Sequence, residues 1–154
     1  MSLDDLYREV ILDHYRNPRR RGSLEHPDAH AEGQNPLCGD EISLDVALDG
    51  DRVADVRILG RGCSISQASA SMMAEAVAGK TLAEIADLTH RFKAMMEIEE
   101  GEAGIDEGRP GAALGDLEAL RGVRRFPVRI KCADLPWATL AEALSGLPAS
   151  GAAG

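Results

Sequence analysis

A chain of 154 residues with 44% hydrophobic and 28% charged side chains is long enough for one buried core and has the composition of an ordinary globule. No apolar run approaches the ~18 residues of a membrane helix, so no membrane association is expected. A formal net charge of −9 argues against nucleic acid as a partner, because the phosphate backbone would be repelled.

The opening Met1-Ser2-Leu3-Asp4-Asp5-Leu6 is acidic and amphipathic, and lacks the basic region and apolar core of an export signal. That points to the cytoplasm, where thiols stay reduced. From Ser2 to Arg16 the apolar Leu3, Leu6, Tyr7, Val10 and Ile11, with His14 and Tyr15, recur at helical spacing, with Ser2 as candidate N-cap and Asn17-Pro18 as the stop. Arg19-Arg20-Arg21 follows as a basic patch, read as solvated or as a dock for an acidic partner. Residues 23–37 read as irregular loop, with 31–37 a weak candidate for a third strand.

From Glu41 the pattern alternates, with Ile42, Leu44, Val46 and Leu48 on one face; Asp49-Gly50-Asp51 forms a turn and Val53–Leu59 returns, which predicts a β-hairpin. Ser64–Ala78 predicts a helix rich in Ala, Ser and Met, closed by Gly79. Thr81-Leu82-Ala83-Glu84 is a capping box opening a further helix, with His90 placed after its last turn. Residues 101–111 read as loop, 114–120 as a short helix, and Pro127 opens a final helix with Leu135, Leu140 and Leu144 inward. Because Pro136 lacks an amide hydrogen, that helix is expected to kink or restart near Asp134. The fold class is α+β: a small antiparallel sheet with helices packed on it, in one domain over 1–146, with 147–154 a disordered tail.

Three cysteines cannot all pair within one chain, and each is open to two readings, a buried small hydrophobe or part of a site. Cys38 lies in a turn entering the hairpin, Cys63 between the hairpin exit and a helix start, and Cys132 at the start of the last helix. Asp40, two residues from Cys38, can face the same centre. Three thiolates and a carboxylate suit tetrahedral zinc, and thiolates equally suit an iron–sulfur cluster. The separations from 38 to 63 and from 63 to 132 are unlike the close CxxC pairs of structural zinc sites, and spacing alone leaves the question open. Of the other candidates, His14 reads as a packed or surface residue, and His26 and His30 lie in a loop. The pairs Met72-Met73 and Met95-Met96, with Trp137, read as core.

Four segments change the balance: Leu6-Tyr7-Arg8 with Asp13-His14-Tyr15-Arg16-Asn17-Pro18, then Asn35-Pro36-Leu37-Cys38-Gly39-Asp40, then Gly62-Cys63-Ser64-Ile65-Ser66-Gln67-Ala68-Ser69-Ala70-Ser71, and Arg129-Ile130-Lys131-Cys132. In these, from about Leu3 to Leu144, the chain resembles the U-type iron–sulfur scaffold family and within it the SufU branch. The housekeeping IscU type has a histidine where this chain has Lys131, a Leu-Pro-Pro-Val-Lys chaperone-recognition stretch where it has Arg125-Phe126-Pro127-Val128-Arg129, and a shorter segment between the last two cysteines. The resemblance implies a SufE/IscU-like fold and a metal held by Cys38, Asp40, Cys63 and Cys132, with Zn²⁺ first and a transient Fe–S cluster second. It implies a sulfur acceptor, a sulfurtransferase if counted as an enzyme, that takes persulfide sulfur from a SufS-type cysteine desulfurase on behalf of downstream SUF scaffold proteins. The alternative is a non-enzymatic scaffold on which the cluster is built. It also implies that a histidine of the desulfurase displaces one cysteine from the metal. Cys38, on a glycine-flanked loop, is the expected acceptor, with Arg129 or Lys131 offsetting the site's negative charge.

Overall fold

Alternating apolar residues in the middle of the chain build the sheet on which everything else is stacked. The computed structural model describes residues 3–36, 39–106, 108, 109 and 111–147. Its strands are β1 (Ala29–Asn35), β2 (Asp40–Asp49) and β3 (Arg52–Arg61), antiparallel in the order β1-β2-β3. Ala31 opposes Leu44, and Leu44 in turn opposes Ile58. One face of this layer is therefore apolar, with Leu44, Val46, Val53 and Val56 wholly buried.

The predicted hairpin is present, and the weak candidate for a third strand is a real one. All of β1 lies within the stretch 23–37 read as irregular, and it begins two residues before the 31–37 candidate, because His30, Glu32, Gly33 and Gln34 hide its period. The alternation expected through Leu48 breaks earlier: the register shifts between Ala47 and Leu48, and Leu48 is only half-buried.

Helix α1 (Leu3–Arg16) packs on α2 (Ser64–Val77), as its helical spacing predicts, while the expected cap Ser2 lies outside the described residues. Small side chains let α2 sink to the centre, touching α1, β3 and the last helix, and nine of its residues are buried. Helix α3 (Leu82–Met95) opens on the expected box: Thr81 Oγ1 accepts from the Glu84 amide and Glu84 Oε1 from the Thr81 amide. It runs past Phe92, so His90 sits inside it rather than after it. The short helix expected at 114–120 is a longer 3₁₀ segment, Gly115–Arg125.

Helix α4 (Pro127–Ser145) is continuous, and the restart expected near Asp134 is absent. Pro136 cannot donate to the Cys132 carbonyl, yet the helix carries on across the gap. Beside it, the Ser69 hydroxyl of α2 donates to the Ala133 carbonyl at 2.6 Å, so packing supplies a bond where the helix is weakest. Cys132 consequently lies in the second turn of α4, not at its start. Trp137 is buried and stacks on Phe92 with ring centroids 4.6 Å apart, and all four methionines of the two pairs are buried, as expected of core. Leu147 packs against the core, and the rest of the expected tail lies outside the described residues. No described helix is long and apolar enough to cross a membrane.

Candidate metal centre

Three elements converge where the hairpin meets α2 and α4. Asp40 opens β2 opposite Asn35 and is wholly buried. Cys63 is the N-cap of α2: its backbone is extended, and its sulfur accepts from the Ser66 amide at 3.5 Å. Cys132 projects from α4 and is wholly buried. One donor atom from each of Asp40, Cys63 and Cys132 lies within 4.8 Å of both others. The predicted fourth member, Cys38, lies outside the described residues.

The two oxygens of Asp40 do different things. Oδ1 accepts from the Cys63 amide at 2.8 Å, fixing the carboxylate against the α2 start. Oδ2 faces the Cys63 sulfur at 3.7 Å, where a thiol is a weak donor. A buried carboxylate this poorly bonded on one oxygen favours a cation between itself and the thiols. Tetrahedral zinc with Zn–S near 2.3 Å and Zn–O near 2.0 Å sets sulfur and oxygen about 3.5 Å apart, so this donor set fits zinc with little movement.

Gly62 makes that approach possible. A Cβ there would stand 2.2 Å from Asp40 Oδ1 and 2.8 Å from the Asp40 Cα, and its φ is +144°. Arg129, one helical turn before Cys132, reaches the same place. Its hydrogen bond to the Cys132 sulfur, and then the nearby Cys63, hold its guanidinium above the ordinary arginine range. Lys131, the other expected charge partner, is exposed on α4 and has no thiol contact among the described residues. Sequence reasoning missed Asn35, whose buried Nδ2 points at the Cys132 sulfur at 4.0 Å. The available signal was its place three residues before Cys38 in the same motif.

The histidines stand apart from this centre. His14 is wholly buried, between Ser71 Oγ and Asp116 Oδ2 at 2.8 Å each, which is the packed one of its two expected roles. His30 on β1 bonds Asp45 on the neighbouring β2 at 2.6 Å. The patch at 19–21 is less free than it reads, since Arg19 pairs with Asp13 and Arg20 with Asp55.

Known proteins of similar sequence and fold are consistent with this geometry. The chain is 46% identical over 144 residues to the zinc-dependent sulfurtransferase SufU of Bacillus subtilis, covering 94% of this chain and 92% of the relative. It is 42% identical over 143 residues to the iron–sulfur cluster assembly scaffold protein IscU of Streptococcus pyogenes, covering 93% and 85%. Among solved structures it resembles a SUF-system iron–sulfur cluster assembly scaffold protein of Fervidobacterium islandicum, with TM-score 0.78 and 36% identity over 93% of this chain and 99% of that one. Residues 6–133 match the NifU-like N terminal domain, and the chain belongs to that family.

Proposed function

We propose that this protein is a zinc-holding sulfur acceptor of iron–sulfur cluster assembly, working in the cytoplasm with a SufS-type cysteine desulfurase and passing sulfur on to SUF scaffold proteins. The observation that carries the reading is the convergence of Asp40, Cys63 and Cys132 from β2, the α2 cap and α4. Cys38 completes the set as fourth ligand and as acceptor. Bound zinc supplies one thing, thiolate character at neutral pH.

The rest is done by the chain. Asp40 holds the Cys63 backbone through its amide and so fixes the entry to α2. Arg129 supplies positive charge at the thiols. Gly39, next in sequence to Cys38, has φ +69°, a backbone conformation that glycine adopts without strain. The Cys38 thiolate attacks the outer sulfur of the donor's persulfide. A new S–S bond forms on Cys38, the donor's S–S bond breaks, and the donor cysteine leaves as thiolate. No net oxidation occurs.

Incubation with a cysteine desulfurase and cysteine, followed by mass spectrometry, tests this. One added sulfur atom is expected on Cys38, and Cys38→Ser is expected to keep appreciable zinc yet gain none. Sulfur on Cys63 or Cys132 with Cys38 unmodified would sink the assignment. The second reading, a scaffold for a cluster as cargo, is favoured by the 42% identity to the streptococcal scaffold protein. Iron with labile sulfide in protein as isolated, instead of zinc, would select it.

A further inference from the structure

Two grooves border the Gly60–Cys63 loop, and both are basic in an acidic protein. The larger, of about 770 Å³, runs between α1, the α2 start and the junction of the 3₁₀ segment with α4. Cys63 lies in its wall beside Arg8, Arg125 and Arg129, with Asp4 its one acidic lining residue among those described. The smaller, of about 330 Å³, lies against Gly60-Arg61-Gly62 and is lined by Arg16, Arg21 and Arg61, with no acidic lining residue among those described. Six arginines and one aspartate thus border the loop, in a chain of 26 acidic and 17 basic residues.

Part of that charge is uncompensated. Arg125 pairs with Asp4 at 3.7 Å and Arg61 with Glu41. Arg8, Arg16 and Arg21 are exposed, with no carboxylate in ion-pair range among the described residues. The apolar exposure follows the same elements. Leu6 and Tyr15 on α1, Leu59 on β3, and Phe126 and Val128 at the α4 start are each at least 40% exposed. Of the large exposed hydrophobics described, only Ile98 lies elsewhere.

We propose that the two grooves form one docking face for a sulfur-donating protein whose surface is acidic, with an apolar rim, around its sulfur-carrying cysteine. This rests on the sulfur-acceptor reading above. A small anion would fill one groove. Only a body that straddles the loop fills both and covers the apolar rim, and in doing so it sets its sulfur over Cys63 and its neighbours. A net charge of −9 disfavours an acidic partner over the chain as a whole, so a basic face selects orientation as well as partner.

The test uses the full zinc-loaded chain, its Arg8→Glu and Arg16→Glu/Arg21→Glu variants, and Lys80→Glu as a remote control, against a cysteine desulfurase from the same organism. Association rates at low salt should fall about tenfold or more in each groove variant, converge with wild type in high salt, and stay unchanged in the control. Equal rates for wild type and both groove variants would overturn the docking face, as would failure of the wild type to bind. Glutathione persulfide serves as a donor that needs no docking, and the groove variants should take sulfur from it like wild type. Loss of that uptake would place the arginines in the chemistry and overturn the proposal. Wild type that binds the desulfurase through these arginines but accepts sulfur from neither donor would refute the acceptor reading and leave the docking face standing.

Discussion

Replacing Gly62 by alanine is the sharpest perturbation of the centre that leaves every proposed ligand in place. The new Cβ would meet Asp40 Oδ1 at 2.2 Å, Cα at 2.8 Å and Cγ at 2.9 Å, all closer than real contacts allow. A side-chain rotation cannot relieve the clash with Cα, so either β2 or the Gly62 backbone must move. Two costs add. A non-glycine residue held at φ +144° costs about 1–3 kcal/mol. Displacing Asp40 breaks its charge-assisted bond to the Cys63 amide, a loss of about 1.5–3 kcal/mol. The expected destabilisation is about 3–5 kcal/mol, or roughly a 10 °C fall in melting temperature for a chain of this size. Gly50→Ala is the control: it also has positive φ, at +63°, but open space around the new Cβ, so it should lose only about 1–2 kcal/mol. Thermal unfolding of both variants with metal removed gives the structural term, and competition with a chromophoric chelator gives zinc affinity. Gly62→Ala matching Gly50→Ala in stability, with zinc affinity like wild type, would refute the proposed close approach of loop and carboxylate.

Three further outcomes follow from the structure. Stripping the proposed zinc should lower the melting temperature by several degrees or more, because a ligand at a thousandfold excess over its dissociation constant stabilises the fold by about 4 kcal/mol; an unchanged curve with metal verifiably removed would mean that the site is peripheral. The Asp45 carboxylate, then Glu32, raises the His30 pKa above its ordinary value, so the stabilisation is full below an unfolded pKa of about 6.5 and is lost as pH rises through the raised value. His30→Gln should therefore cost a few tenths of a kcal/mol near pH 6, solvent screening keeping it small, and less near pH 9; a cost independent of pH would be the contrary result. Trp137→Ala should cost about 3–5 kcal/mol in denaturant titration, whereas Trp137→Phe should cost well under half of that, since the buried indole N–H has no acceptor among the described residues; equal costs would contradict this.

What the sequence made legible was whatever local chemistry determines. The Thr81–Glu84 box, the Gly79 stop with φ +80° and the turn at Gly50 each depend on neighbours in the chain, and each stands where it was expected. β1 was obscure because its pairing is decided by β2, and its own residues lack a clear period. The restart expected at Pro136 is absent for a related reason. Local rules break the helix there, but α2 packs against that turn and bonds the Ala133 carbonyl, a contact 64 residues away in sequence. At the centre, the motifs pointed to Asp40, Cys63 and Cys132, and spacing alone did not. Asn35 went unnoticed because its partner, Cys132, is 97 residues on.

The order in which the three described ligand residues leave the ribosome also bears on metal capture. Asp40 and Cys63 are made early, but the Cys132 that closes the set is 132 − 40 = 92 residues after Asp40. At ordinary synthesis rates that is a delay of roughly 5–20 s. During it Cys63 sits at the rim of a pocket with one wall missing, and the α4 carrying Cys132 can dock only once β1, β2 and α2, on which it packs, are in place. On the proposed function, tight metal binding would therefore arrive last in biogenesis, and a filled site would certify that the chain around it has finished folding.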